Sequence, residues 1–429
     1  MPGTKKRLVV IGGGAAGFFC AVNAARMYPS LEVIILEKTS KILSKVKVSG
    51  GGRCNVTHAC FSISDMVRNY PRGGNFVKKA FHQFFTTDTI QWFEERGVQL
   101  KKEDDGRMFP VTNSSQTIID CLLREANKYG VEIRMMSDVK SLKSKAGGQK
   151  VDEAQRNEEK QFTLELSDLR LLTSDFICIA IGGYSKPAQF EWLKQLGHSI
   201  AEPVPSLFTF NMPGNAITKL MGVSVPEVHV KITGSNLSSK GPLLITHWGM
   251  SGPAILRLSA WGARQLATDN WQFTIVVNWL PEYNENTLRE KFQQLRFDIA
   301  AQKIGTRNPF NLPQRLWQYL LQECGIDEDK RWADLPAKEQ NKLISYCCAQ
   351  EFKVQGKTTF KEEFVTAGGI QLSEIDVNTM QSKLAPNIFF AGEILDVDGI
   401  TGGFNFQHAW TSGFIAATGI GKLIESESQ

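Results

Sequence analysis

The first apolar run of the chain, Leu8-Val9-Val10-Ile11, is unbroken and β-branched in character, the pattern of a strand buried on both faces. Gly12-Gly13-Gly14-Ala15-Ala16-Gly17 follows, and residues 18–27 continue as a good helix former. A second apolar run over 31–36 predicts another strand and ends at Glu37. Two helices are expected between 75 and 97, the second capped by Thr86 or Thr87 and stopped by Gly97. Residues 106–110 (GRMFP) read as a turn with an apolar anchor. Ser114 or Ser115 caps a helix reaching Tyr129, Gly130 stops it, and a strand is expected over 131–135. Residues 143–160 are polar and suit an exposed loop or hairpin tip. Strands then follow over 163–166 and 175–181, the latter ending at Gly182-Gly183.

The pattern changes near Pro203. Segments 206–212, 223–234, 242–246 and 271–280 are strand-like, and Val228, Val230 and Ile232 alternate with Glu227, His229 and Lys231. That period of two belongs to a half-buried antiparallel strand. His247-Trp248-Gly249 interrupts the strands, and Pro253 suits the first position of a helix. Residues 286–350 are mostly helical in spacing, with Pro309, Pro313 and Pro336 cutting them into shorter helices. The expected division is 1–200 with 360–429 as one domain, 201–280 with 351–359 as a barrel or sandwich, and 281–350 as a helical unit. A last buried strand (387–391) precedes Gly392-Glu393 and a closing helix over about 407–425.

At 429 residues the chain is too long for one core. With 42% hydrophobic and 22% charged residues it has an ordinary globular composition, and no apolar run is long enough to span a membrane. The strand beginning at Leu8 leaves no room for a cleavable leader, so a cytoplasmic protein is expected. The eight cysteines show neither C-x-x-C pairs nor His/Cys metal spacing, which predicts reduced thiols and no metal site. A net charge of +5 permits an RNA partner without requiring one.

The chemistry begins with the glycines. Strand, G-x-G-x-x-G, helix, strand and acid occur in that order, with Glu37 20 residues past Gly17. Gly12 permits the tight turn, Gly14 admits a pyrophosphate to the backbone, and Gly17 lets helix and strand close up; Ala15 and Ala16 complete the turn. Glu37, next to Lys38, is placed to accept hydrogen bonds from a ribose, so an adenine-dinucleotide site is expected. Gly50-Gly51-Gly52-Arg53 would let backbone N–H groups and a guanidinium meet a ligand, although the same residues suit a plain surface loop. The acid and glycine pair after the last strand offer a second helix N-terminus, which a flavin dinucleotide needs and NAD alone does not.

GGGAAG at 12–17, SGGGRCNVT at 49–57, GRMFP at 106–110, IAIGG at 179–183, THWGMSGPAIL at 246–256, TAGGI at 366–370 and AGEILDVDGITGGFNFQHAW at 391–410 together resemble the BaiN/RdsA family. These are NAD(P)/FAD-dependent, aminoacetone-oxidase-like flavoprotein oxidoreductases. The resemblance implies an α/β fold: a glutathione-reductase-type FAD-binding Rossmann domain, split by an inserted β-barrel and a helical subdomain. It implies that Gly12, Gly14 and Gly17 meet the pyrophosphate, Glu37 the ribose, and Val139 and Gly182 the adenine half. Lys45, Gly51, Gly52, Arg53 and Asn55 would line the flavin side. Gly392, Glu393, Asp396, Gly402, Gly403, Asn405 and Gln407 would hold the ribityl chain and ring. His58-Ala59-Cys60 departs from the family pattern.

Four residues are candidates for proton chemistry. Cys54 lies beside Arg53, a neighbour that lowers a thiol's pKa, but a small packed residue is the alternative. His247 is a candidate general acid, against a structural histidine, and His408 stands in the same position. Tyr184, after the glycine pair, is the fourth. The expected activity is reduction of a conjugated C=C bond, with uridine in 23S rRNA as the favoured substrate. A steroid enone, an amine, or an RNA-binding role with FAD held structurally are the alternatives. No second G-x-G-x-x-G follows a strand, so NAD(P)H would visit the flavin as a transient donor. Lys140, Lys143, Lys145, Lys150, Arg156 and Lys160 are the residues expected to meet RNA phosphate.

Overall fold

The structure is a computed structural model that describes residues 5–144, 161–358 and 365–427. Most of the polar stretch expected to meet RNA, including Lys145, Lys150, Arg156 and Lys160, lies outside the described residues. The chain divides into two compact units, residues 1–205 with 361–429, and residues 206–360. No helix of the described residues is long and apolar enough to cross a membrane.

The first unit is built on a parallel sheet. Its strands are β1 (Arg7–Ile11), β2 (Glu32–Leu36), β3 (Glu132–Arg134), β4 (Phe176–Ile179) and β5 (Ile388–Phe390), in the order β5-β4-β1-β2-β3. All four pairings are parallel, with Leu8 opposite both Val33 and Phe176 and Ile11 opposite both Leu36 and Ile179. A central strand covered on both faces has no polar side, which is why Leu8-Val9-Val10-Ile11 is uniformly apolar and buried. Helix α1 (Ala15–Met27) follows β1, and α2 (Phe404–Glu427) closes the chain against it. A Cβ on Gly413 of α2 would sit 2.7 Å from the Ala16 carbonyl oxygen, so only glycine admits this approach.

Local chemistry moves several expected boundaries. Ser114 does cap Ser115–Lys128, its hydroxyl accepting from the Gln116 N–H. The helix Thr86–Glu94 is entered differently: the Asp88 carboxylate accepts from the Phe85 N–H at 2.6 Å, so neither threonine is the cap. The GRMFP segment is not a turn. Arg107–Pro110 is the middle strand of a three-stranded sheet with Thr57–His58 and Leu100–Lys102, the turn being made by Gly106 before it. Four residues are too few to show a period of two.

In the second unit seven strands form one sheet in the order Gln350–Gln355, Gln272–Asn278, Ser224–Ile232, Ser238–Ile245, Gly249–Ser251, Thr209–Asn211, Lys357–Thr358. The two end strands are joined through Gly356 alone, so the sheet must curl until its edges meet, as a barrel. The segment expected as one strand over 206–212 is broken by Leu207, at φ 56°. Ile200–Ser206 pairs with Val365–Ile370 in the first unit, and Thr209–Asn211 joins the barrel. Helices Pro253–Thr268, Glu285–Asp298, Gln314–Cys324 and Ala337–Ala349 complete this unit, Pro313 and Pro336 standing immediately before two of them. Val228, Val230, Ile232, Leu316, Leu320 and Leu343 share its core.

Candidate functional site

The turn after β1 lies at the carboxyl end of the parallel sheet, where open α/β sheets bind ligands. Gly12 adopts φ 114°, its N–H donates to Leu36 O at 2.8 Å, and an added Cβ would lie 2.3 Å from Ala180 O. A Cβ on Gly17 would lie 2.0 Å from Gly12 O. Gly14 differs from both: nothing lies within 4 Å of where its Cβ would be, and no side chain caps the helix that starts after it. No side chain caps the first-turn N–H groups of α1 at Ala15 and Ala16, which lie at the positive end of the helix dipole. An anion such as a pyrophosphate fits there.

Glu37 ends β2 beside this turn. Its Oε2 accepts from the Gly13 N–H at 3.0 Å, and its Oε1 accepts from the Thr39 N–H and hydroxyl, both at 2.9 Å. A carboxylate oxygen accepts about two hydrogen bonds, so Oε2 keeps one position for a ribose hydroxyl. The carboxylate borders a small pocket shared with Gly12, Lys38, Val139, Tyr184 and Trp192. This brings together Glu37 and Val139, expected at the ribose and the adenine, with Gly12 of the glycine turn; Gly182, expected at the adenine half, is not among the lining residues. It also relocates Tyr184, whose phenol is pushed above its usual pKa by burial and whose ring stands 5.9 Å from the Lys38 ammonium. Tyr184 is a wall of this pocket. Trp192 was not legible as a lining residue, because it arrives from a short helix with no motif of its own.

The glycine run at 50–52 forms a defined left-handed turn ending the helix Ser44–Gly52, with φ 58°, 69° and 84°. A Cβ on Gly50 would meet the Phe109 ring at 2.7 Å, whereas Gly51 and Gly52 have nothing within 4 Å and leave the backbone accessible. Arg53 is not directed to a phosphate. Its guanidinium lies 4.0 Å from the Phe109 ring centroid and pairs with Glu103 at 2.5 Å. Cys54 is fully buried at φ 62°, and burial pushes its thiol up to about 12 against a smaller opposing hydrogen bond with Ser49. Of the two readings of Cys54, the burial supports the small packed residue, since burial outweighs a cation already matched to Glu103.

The closing stretch meets the residues that follow this turn, Asn55 and Thr57. With the Asn55 amide in the orientation that satisfies both ends, its nitrogen donates to Thr57 O at 3.0 Å and its oxygen accepts from the Gly403 N–H at 2.9 Å. Asn405 clasps Gly399, accepting from its N–H and donating to its carbonyl, both at 2.8 Å. Gln407 is wholly buried: its Oε1 accepts from Thr57 and Thr89 at 2.7 and 3.0 Å, and its amide nitrogen donates to Thr411. Asn55, Asn405 and Gln407 therefore shape the cradle instead of presenting their amides to a ligand. Gly402 and Gly403 adopt φ 131° and 93° at the entrance to α2.

Lys45 donates to Glu393 Oε2, while Glu393 Oε1 accepts from the Thr366 N–H at 2.9 Å, beside Gly182 and Gly183. The Asp396 N–H donates to Ile370 O at 3.1 Å, and its carbonyl lies against Gly73. Sequence reasoning missed what fixes this loop: the fully buried Asp398 carboxylate takes both nitrogens of the Arg72 fork. Asp398 lies within the quoted motif, but Arg72 sits 326 positions away with nothing to mark it. His58 was also passed over. It stacks on Phe404 at 4.8 Å, donates from Nε2 to Asp105 O, and is held below its usual pKa chiefly by burial.

His408 is fully buried in α2 and donates from Nε2 to the Gly392 carbonyl at 3.2 Å. Burial lowers its pKa to about 4, so at neutral pH it is an uncharged prop for Gly392. His247 belongs to the second unit. It occupies an exposed two-residue hairpin tip with Trp248, closed by the Thr246 N–H donating to Gly249 O at 2.8 Å.

Over residues 6–419 the chain matches the HI0933-like protein Rossmann domain. It is 29% identical over 424 residues to a ribosomal RNA dihydrouridine synthase of Haemophilus influenzae, covering 96% of this chain and 98% of that protein. It is 26% identical to a 3-dehydro-bile acid delta(4,6)-reductase of Clostridium scindens, covering 96% and 98% respectively. In fold it is similar to a 3-ketosteroid delta1-dehydrogenase from Sterolibacterium denitrificans, with a TM-score of 0.53, 10% identity and coverage of 97% and 99%. The chain belongs to the HI0933-like Rossmann family.

Proposed function

We propose that this chain is an FAD-dependent oxidoreductase that reduces a C=C bond conjugated to a carbonyl, with uridine in ribosomal RNA as its substrate. The observation that carries the flavin reading is the pair of cradles at the carboxyl end of one sheet. One is the uncapped start of α1 beside Gly14 and Glu37, the other the place where Asn55, just after the Gly50-Gly51-Gly52 turn, accepts from the Gly403 N–H. A mononucleotide needs only one of them. When bound, FAD supplies hydride chemistry, which suits an alkene whose far carbon is activated by a carbonyl.

The chain's own residues would hold it in distinct ways. The N–H groups of Ala15 and Ala16 meet the pyrophosphate, and Glu37 Oε2 takes a ribose hydroxyl. Val139, Tyr184 and Trp192 enclose the base. Gly51, Gly52, Gly402 and Gly403 offer backbone to the ring side, Lys45 and Glu393 stand beside the glycine pair at 182–183, and Asp396 follows on the loop fixed by Asp398. His408 stays neutral and orients the Gly392 carbonyl. Reduced nicotinamide would act as a transient donor, since the chain has no second G-x-G-x-x-G after a strand.

Uridine is favoured because two full-length relatives at 29% identity, from Haemophilus influenzae and Escherichia coli, are named ribosomal RNA dihydrouridine synthases. The uracil 5,6 double bond is conjugated to a carbonyl, as is the alkene of an unsaturated 3-keto steroid. The bile-acid reductase at 26% identity therefore supports the same chemistry on a small molecule as the second reading. Deletion of the gene followed by mass spectrometry of large-subunit rRNA separates them. Loss of a dihydrouridine, restored by the wild-type gene, is expected. Unchanged rRNA, with efficient turnover of an enone by the pure protein, would establish the second reading instead.

A further inference from the structure

The positive charge of this chain is unevenly placed. Residues 203–268 contain Lys219, Lys231, Lys240, Arg257 and Arg264 but a single carboxylate, Glu227. Five cations less one anion give this stretch +4, against +5 for the whole chain. Within it, the barrel hairpin Ser224–Ile232 and Ser238–Ile245 buries Val228, Val230 and Ile232. Alternation therefore turns His229 and Lys231 to the outer face.

Cross-strand register then brings like charges together. His229 lies directly opposite Lys240 on one neighbour and Asn278 on the other, and Lys231 stands two residues along, opposite Ser238 and Val276. Both lysines lower the His229 pKa, after the larger effect of burial. At the hairpin's edge, Arg257 donates to the Lys240 carbonyl and, at 3.2 Å, to Ser239 Oγ. Among the described residues no carboxylate pairs with Lys231, Lys240 or Arg257. The acids nearest in register are Glu227, at the bulge before Val228, and Glu351, opposite Val276 and so one strand beyond Lys231. Cations placed side by side on a sheet face cost stability, and the cost is relieved when a polyanion lies across them.

We propose that the outer face of this hairpin, centred on Lys231 and Lys240, docks the phosphate backbone of the RNA substrate. The proposal rests on the RNA reading above and adds to it a surface outside the cofactor cradle. The contacts are to backbone, so they supply affinity and salt dependence without sequence readout.

The test is fluorescence anisotropy with a labelled transcript of large-subunit rRNA, across a salt series, using the FAD-loaded full chain. K231E/K240E should weaken binding at least tenfold and reduce the slope of log Kd against log salt by about 2, one per lysine. Its FAD affinity and Tm should stay at wild-type values. The milder K231Q/K240Q, which only removes charge, should show the same slope change and guards against misfolding. The control K78E/K79E, on the separate helix Gly74–Ala80, should change binding less than twofold. Wild-type RNA binding with an unchanged slope in both hairpin variants would overturn the surface while leaving the RNA reading intact. Equal losses in the control would also overturn it, by reducing the effect to bulk charge. Absence of salt-dependent RNA binding by the wild type would remove both readings together.

Discussion

The turn at 12–17 and the stretch at 392–407 both lead into a helix N-terminus at the same end of one unit, but their polar side chains are engaged differently. Around the first, the single acid keeps an acceptor position facing a cavity, and the helix start is uncapped. Around the second, Asn55, Asn405 and Gln407 are committed to Gly403, Gly399 and three threonines. On the proposed reading, one end would recognise through an exposed acid and an uncapped helix start, and the other through backbone that engaged amides hold in place.

The largest expected effect is at the point where the first region has no slack. Gly17→Val drives side-chain atoms into the Gly12 carbonyl, and should cost about 3 kcal/mol or more together with all FAD binding. Chemical denaturation and flavin titration read both losses; a stable, FAD-binding variant would break the close-packing account. The second region should be sensitive to acid instead. Between about 4 and the usual 6.5, the unfolded chain protonates His408 while the folded chain does not, so unfolding takes up a proton. Stability from this residue is complete above pH 6.5 and is lost as pH falls through about 4. The full loss is about 3 kcal/mol. Urea melts from pH 7 to pH 4 should show it, and His408→Gln should flatten that part of the profile.

The comparison itself is sharpest between two single substitutions. Gln407→Leu removes the partner of the buried Thr57 hydroxyl, while Thr89 and Thr411 still donate to the Phe85 and Phe84 carbonyls, and should lower stability by about 2 kcal/mol, with FAD affinity falling as a consequence. Glu37→Ala should weaken FAD binding by about 1.5–3 kcal/mol, more than it lowers apoprotein stability. The reverse ordering would show that the two ends do not divide the work as described. The smallest effect is expected at Cys54. With a pKa near 12 the thiol should resist iodoacetamide at pH 8 in the native protein, and Cys54→Ser should keep FAD and most turnover. Rapid alkylation of Cys54, seen by peptide mass spectrometry, would contradict the burial argument.

What was legible in the sequence follows the range of the forces involved. The β1-turn-α1-β2 unit could be read because its determinants are local: an apolar run, three glycines with separate steric duties, and an acid after the next strand. The barrel hairpin showed itself through alternation at Val228, Val230 and Ile232. The break at Leu207 could not be seen, since a positive φ at a leucine is imposed by its surroundings. The surroundings of Arg53, Cys54 and Tyr184 were not legible from residue type, because Glu103, the burial around the turn and the pocket wall with Trp192 are set by the fold. Arg72 and Asp398 illustrate the same limit, as the pairing of a buried charge has no period.

The central claim is that both cradles together accommodate one flavin dinucleotide. Its most direct test is to purify the protein, denature it, and identify and quantify the released flavin by liquid chromatography and mass spectrometry. FAD at close to one equivalent per chain is predicted, or uptake of that amount when the purified apoprotein is offered FAD. Release of FMN, or no flavin bound even after FAD is supplied, would contradict it.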